Sequence, residues 1–183
     1  MKTEHKLADT LKILMAEMPL DEISVTTLAE KCGVNRKTFY YHFHDIYDLL
    51  TLVFLDEKMP KAEESKNIKQ LIKAIFDYYT KNHKFIDATI QSAGRDLFQE
   101  FLYNICYKNI LRFVSSTPNG KKVKPNDRKS IARFYASAYS YTIVYYLATF
   151  KTKTLDGLYS CFIFQSDDNI EFCVQKILNH KEK

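Results

Sequence analysis

Glycine and proline are scarce, four of each in 183 residues, which leaves little room for the many tight turns of an all-β fold. Cysteine is sparse as well. Cys32, Cys106, Cys161 and Cys173 form no C-x-x-C pair, and none has a histidine at metal-ligand spacing, so they read as reduced, mostly core thiols. A membrane-spanning run is missing too: the uncharged stretch between Arg133 and Lys151 has 17 residues, five of them tyrosine, against the about 20 apolar residues a spanning helix needs. Glu4, Asp9 and Glu17 interrupt any secretory leader in the first eighteen residues. A cytoplasmic protein with no membrane partner is expected. No phosphate-cradling glycine loop, no pair of carboxylates in an apolar helical setting and no nucleophile–base motif occurs, so neither an enzyme nor a cofactor or metal is expected.

What the sequence does contain is helical periodicity. Leu7, Leu11, Leu14 and Met18 predict a first helix over Thr3–Met18, stopped by Pro19. Val25, Leu28, Ala29 and Cys32 predict a short second helix, with Ser24 as its N-cap and Gly33 at its C-terminal end. Asn35 can cap a third helix reaching about His44, and Asp45 a fourth bounded by Pro60. A fifth covers about Ile68–Tyr79 and a sixth Gly94–Ser116; Thr117–Asp127 reads as the strongest loop in the chain. Further helices are expected at about 128–150, 155–164 and 168–178. The expectation is an all-α protein with a three-helix helix-turn-helix domain over 1–50 and a larger helical domain over 51–183.

The chemistry concentrates between Ser24 and Phe43. Two short helices separated by Cys32-Gly33-Val34-Asn35 have the spacing of a helix-turn-helix. Leu28, Ala29, Val34, Phe39 and Phe43 can pack inward. That leaves Asn35, Arg36, Lys37, Thr38, Tyr40, Tyr41 and His42 largely exposed on a helix with no acidic residue. Arg36 and Lys37 supply charge for phosphates, and the hydroxyl and imidazole groups can donate to phosphates or read base edges. Bulk charge does not carry the argument: the chain nets +5, yet residues 1–50 hold six Lys/Arg against eight Asp/Glu, a net of −2. A solvated helix would also be polar. Two tyrosines and a histidine beside Arg-Lys, directly after a glycine turn, are an unusual face for one.

The run SVTTLAEKCGVNRKTFYYHFHDIYDLL resembles the DNA-binding domain of TetR-type regulators. The resemblance implies that Thr26, Thr27, Arg36, Lys37, Thr38, Tyr40, Tyr41 and His42 face double-stranded DNA. Many members of that family have Lys where this chain has Ile46, so His44 or Tyr47 is expected to take over that phosphate contact. More loosely, Phe134–Leu147 resembles the C-terminal domain of a subset that includes regulators of dihydroxyacetone kinase genes. The family implies a homodimer on a near-palindromic operator, with half-sites ~34–36 Å apart. The 128–150 segment is apolar nearly all round, with Ile131, Phe134, Ala138 and Tyr145 on one face and Ala132, Ala136, Tyr139 and Ile143 on another; one face can fill a core while another meets a second subunit. Phe98, Leu102, Cys106, Tyr135 and Tyr139 are candidates to line a pocket for a small-molecule effector, although aromatic residues at helical spacing are more often plain core. A repressor released by an effector is the leading expectation. The alternative is a co-activator whose C-terminal domain docks a partner protein.

Overall fold

The structure, a computed structural model, describes residues 3–162 and 167–181. Among them it contains eleven α-helices and no strand. The chain divides into two compact units, one made of residues up to 58 with 81–101, the other of 59–80 with 102 onward.

The first unit begins with α1 (Thr3–Met15), whose Leu7, Leu11 and Leu14 are buried. It ends three residues earlier than its periodicity suggests, because Pro19 is preceded by a turn and followed by a 3₁₀ turn over Leu20–Glu22. Next come α2 (Val25–Cys32), α3 (Arg36–His42) and α4 (Ile46–Asp56). Each is capped at its start as the sequence predicts. Ser24 Oγ accepts from Thr27 N, Asn35 Oδ1 from Lys37 N and Asp45 Oδ1 from Asp48 N, at 2.8–3.0 Å. Gly33 stops α2 in the left-handed region at φ 70°, ψ 34°, where a side chain is strained. α1 packs on α2 and α4, and α2 on α3. Lys12 also pairs with Glu57 at 2.6 Å and His5 Nδ1 lies 2.9 Å from Asp56. Phe54 anchors the lower part of this core, with ring centroids 5.4–5.8 Å from Phe85, Phe98 and Phe101.

Beyond α4 lies α5 (Pro60–Glu63), a single turn in what reads as a charged connector, with Pro60 in its first turn. α6 (Ile68–Ile90) runs eleven residues past the expected Tyr79. It leaves helical geometry at Asn82 (φ −117°, ψ 21°), and its second half buries Phe85, Ile86 and Ile90. α7 covers Arg95–Ser116.

The expected loop over Thr117–Asp127 is instead mostly helical. It holds α8 (Pro118–Lys122) and the first turn of α9 (Pro125–Thr149). The turn-forming residues act here as helix starters: each proline occupies a first-turn position, where its missing N–H costs nothing, and Thr117 Oγ1 accepts from Gly120 N at 3.0 Å. Gly120 has no room for a side chain, since a Cβ would lie 1.8 Å from the Val114 carbonyl oxygen. α10 (Leu155–Ser160) ends earlier than read from sequence; the expected end at Phe164 lies outside the described residues. The reversal between α9 and α10 is held by Tyr146, whose hydroxyl donates to Thr154 O (3.1 Å) and accepts from Thr154 N (2.9 Å). α11 (Asp167–Lys181) packs on α8 and α9. Along α9 the faces separate as follows. Ala132, Ala136, Tyr139 and Ile143 are buried. Phe134 (69% exposed), Ala138, Tyr141 (57%) and Tyr145 (49%) form an exposed apolar stripe. Ile131, expected on that stripe, sits at its edge and is buried.

Candidate nucleic-acid interface

The first unit presents α3 on a hydrophobic base. Phe39 is fully buried and Phe43 nearly so, their rings 5.7 Å apart, and Leu28 and Ala29 of α2 are buried with them. Because Phe39 and Phe43 are four residues apart, the opposite face of α3 must point outward. Lys37 and Tyr41 lie on that face, Tyr40 lies beside it and Arg36 is the first residue of the helix; all four are exposed, and at 84% Tyr41 is the most exposed large hydrophobic side chain of the unit among the described residues. Arg36 lies over the Tyr40 ring at 5.8 Å, which stiffens both.

Thr26 and Thr27 on α2 and Asn35 before α3 are exposed as well. Two of these have local tasks: Thr27 Oγ1 is 2.8 Å from Ser24 Oγ, and the Asn35 carbonyl caps α3. Asn35 retains its amide NH₂ as a donor. Thr38 and His42 are half-buried, not fully exposed, because they sit on the flanks of the helix beside the buried Phe39 and Phe43. Val34, expected inside, is half-buried for the converse reason, lying in the turn between the helices.

The acidic balance of residues 1–50 has a structural answer. Glu4 lies 3.3 Å from His42 Nδ1, Glu17 pairs with Lys31 at 2.7 Å, and Asp21 accepts from the Tyr47 hydroxyl at 2.8 Å. Asp45 caps α4 and Asp48 accepts from His44 N at 3.0 Å. Five of the eight carboxylates are therefore committed internally, and none sits on α3. Partial burial, and then the hydrogen bond to Asp21, push the Tyr47 phenol above the usual tyrosine range. Its one proton is engaged, so Tyr47 is not the free phosphate donor expected at the start of α4. His44 is exposed, and Ile46 is buried. The three carboxylate partners lie 38, 14 and 26 residues from the groups they hold. No local spacing in the sequence marks them.

The effector candidates fall in different places. Phe98 is fully buried in the first unit against Phe54 and Phe101. Leu102, Cys106, Tyr135 and Tyr139 are buried in the second unit, where the Tyr135 and Tyr139 rings stack at 6.1 Å and Tyr139 meets Phe162 at 5.0 Å. Burial pushes the Cys106 thiol up to about 12. Burial, then the Cys173 thiol 3.5 Å away, raises Tyr135 well above the usual tyrosine range.

A glycine-terminated helix, a capped second helix with a basic and aromatic outer face, and a larger helical body define a helix-turn-helix DNA-binding regulator. Residues 8–53 match the profile of the bacterial regulatory proteins of the tetR family, and residues 66–154 that of a transcriptional regulator C-terminal region of the same group. The chain belongs to the TetR family of DNA-binding transcriptional regulators, which are not enzymes. Among solved structures it is similar to the dihydroxyacetone kinase operon activator DhaS, with 18% identity, 96% of each chain covered and a TM-score of 0.60. It is also similar to a tetR-family transcriptional regulator from Streptomyces coelicolor, with 13% identity over 97% of this chain and 88% of that one, and a TM-score of 0.55. At these identities the likeness speaks for the fold. No curated protein matches the sequence. No helix among the described residues is long and apolar enough to cross a membrane.

Proposed function

We propose that the chain is a homodimeric, cytoplasmic repressor that grips a near-palindromic operator with α3 and is released by a small-molecule effector. Residues 1–50 read the DNA, and residues 51–183 dimerise and regulate. The observation that carries the DNA-contact assignment is the exposed surface of α3, made by Arg36, Lys37, Tyr40 and Tyr41 with no carboxylate on the helix. Arg36 and Lys37 neutralise phosphates, Tyr40, Tyr41, Thr38 and the Asn35 amide reach base edges or phosphates, and Thr26 and Thr27 meet the backbone from α2. Dimerisation through α9 rests on the stripe Phe134, Ala138, Tyr141 and Tyr145, which would otherwise leave three large aromatic rings in water.

The effector reading rests on Leu102, Cys106, Tyr135 and Tyr139, all buried in the second unit, with the stacked Tyr135 and Tyr139 phenols to orient a ligand. A ligand there acts only if it prefers the state in which the two reading heads are misaligned. A second reading follows from DhaS, which is named a dihydroxyacetone kinase operon activator: the second unit docks a protein partner and the chain activates transcription. Selection of bound sequences from random duplex DNA, followed by light scattering of the free protein, tests the core of the proposal. A palindromic consensus and a dimer mass support it. A non-repeating consensus with a monomer mass at micromolar concentration overturns the dimer, and no enriched sequence overturns operator recognition.

A further inference from the structure

We infer that Glu4 is a positioning residue for DNA recognition: it holds the His42 imidazole so that Nε2 is the nitrogen offered to the duplex. The inference rests on the reading of α3 as the DNA-contacting helix.

Three carboxylates, on α1, just after it and in the 3₁₀ turn, each hold one side chain from a different helix of the DNA-reading module. Glu17 takes Lys31 of α2, Asp21 takes Tyr47 of α4, and Glu4 takes His42 at the end of α3. The second leaves its partner no free donor, because the single Tyr47 proton points at Asp21, and the first engages one of the three Lys31 ammonium protons. The third differs in kind. An imidazole has two nitrogens on opposite edges of the ring, so occupying Nδ1 leaves Nε2 available. A carboxylate oxygen 3.3 Å from Nδ1 favours the proton on that nitrogen. Nε2 is then an acceptor in the neutral ring and a donor to phosphate in the cation.

The ring has little freedom to do otherwise. The His42 side chain is 22% exposed, Tyr41 meets it edge-on at 5.0 Å, and Phe43 lies 6.2 Å away. Among the contacts described for the ring, the Glu4 carboxylate is the one aimed at a single imidazole nitrogen. Without it, ring flips and the Nε2–H tautomer that the neutral imidazole prefers in water both become accessible, and part of the population presents the wrong edge to DNA. Orientation by a carboxylate behind the working nitrogen is the same physics that fixes histidine tautomers at metal sites.

The full-length protein, the operator from the selection above and four substitutions test this: Glu4→Ala, Glu4→Gln, His42→Ala and the Glu4→Ala/His42→Ala pair. Glu4→Ala and His42→Ala should each weaken binding by roughly five- to tenfold. The pair should be no worse than the weaker single variant, because both changes remove one function. Glu4→Gln keeps an acceptor oxygen and should stay within about twofold of the parent, an outcome that a purely structural role for the charge would not produce. Nitrogen–proton correlation spectra of the neutral His42 ring should show Nδ1–H in the parent and Nε2–H in Glu4→Ala. An Nε2–H tautomer in the parent, or unchanged binding by Glu4→Ala while Tyr41→Ala weakens it, overturns the positioning role. Unchanged binding by both Tyr41→Ala and His42→Ala overturns the DNA-facing reading of α3 itself.

Discussion

Replacing Tyr41 with alanine isolates the interface from the fold. The side chain is 84% exposed and its one ring contact is the edge of His42, so its removal leaves no cavity and should change stability by no more than about 0.5 kcal/mol. In the complex the same ring would be buried against a groove edge. A good side-chain contact to a base is worth about 1–3 kcal/mol, which corresponds to a roughly 5- to 150-fold rise in Kd. Fluorescence anisotropy on the selected operator at fixed salt reads the affinity, and thermal melting by circular dichroism reads the fold. The neighbouring Phe39→Ala is the contrast: with Phe39 fully buried, it should cost about 3–5 kcal/mol and lower the melting temperature whether or not DNA is present. A Tyr41→Ala protein that melts normally and binds like the parent would remove α3 from the interface. One that melts early would show that the ring belongs to the core.

Operator affinity should fall steeply as salt rises, and Arg36→Ala or Lys37→Ala should each reduce the magnitude of the log–log slope by about 1, as expected for one phosphate contact; an unchanged slope places that cation away from the backbone. Gly33→Ala forces a side chain into φ 70° and should cost about 1–2 kcal/mol in urea unfolding, so a neutral result would contradict the strained turn. Phe134→Glu on the exposed stripe should convert a dimer to a monomer in light scattering without unfolding it, and an unaltered mass would exclude α9 from the interface. Cys106 should resist thiol reagents in the folded protein at pH 9 and react once it is unfolded. Its folded pKa of about 12 lies above the ordinary 9.0, so its contribution to stability is complete below pH 9 and is lost as pH rises toward 12; rapid labelling of the native protein would refute that burial.

The DNA-reading module was readable in the chain because its determinants are local. Caps act within three residues, Gly33 acts on its own backbone, and Phe39 and Phe43 define a helix face by spacing alone. The Thr117–Asp127 segment misled for a related reason. Proline, threonine and glycine start helices as readily as they make turns, and the steric demand that fixes Gly120 comes from Val114 on the preceding helix. The far half of α6 was missed because Asn82 breaks its periodicity at the point where the buried residues change to Phe85, Ile86 and Ile90.

The amino-acid order by itself determined an all-helical chain, the position of the helix-turn-helix and the buried Phe39–Phe43 face of α3, since each follows from periods of three to four residues. Only the folded structure decided which polar groups remain free to act. Glu4, Glu17 and Asp21 engage His42, Lys31 and Tyr47 across 14 to 38 residues of chain, and a through-space contact of 3 Å leaves no trace in sequence spacing.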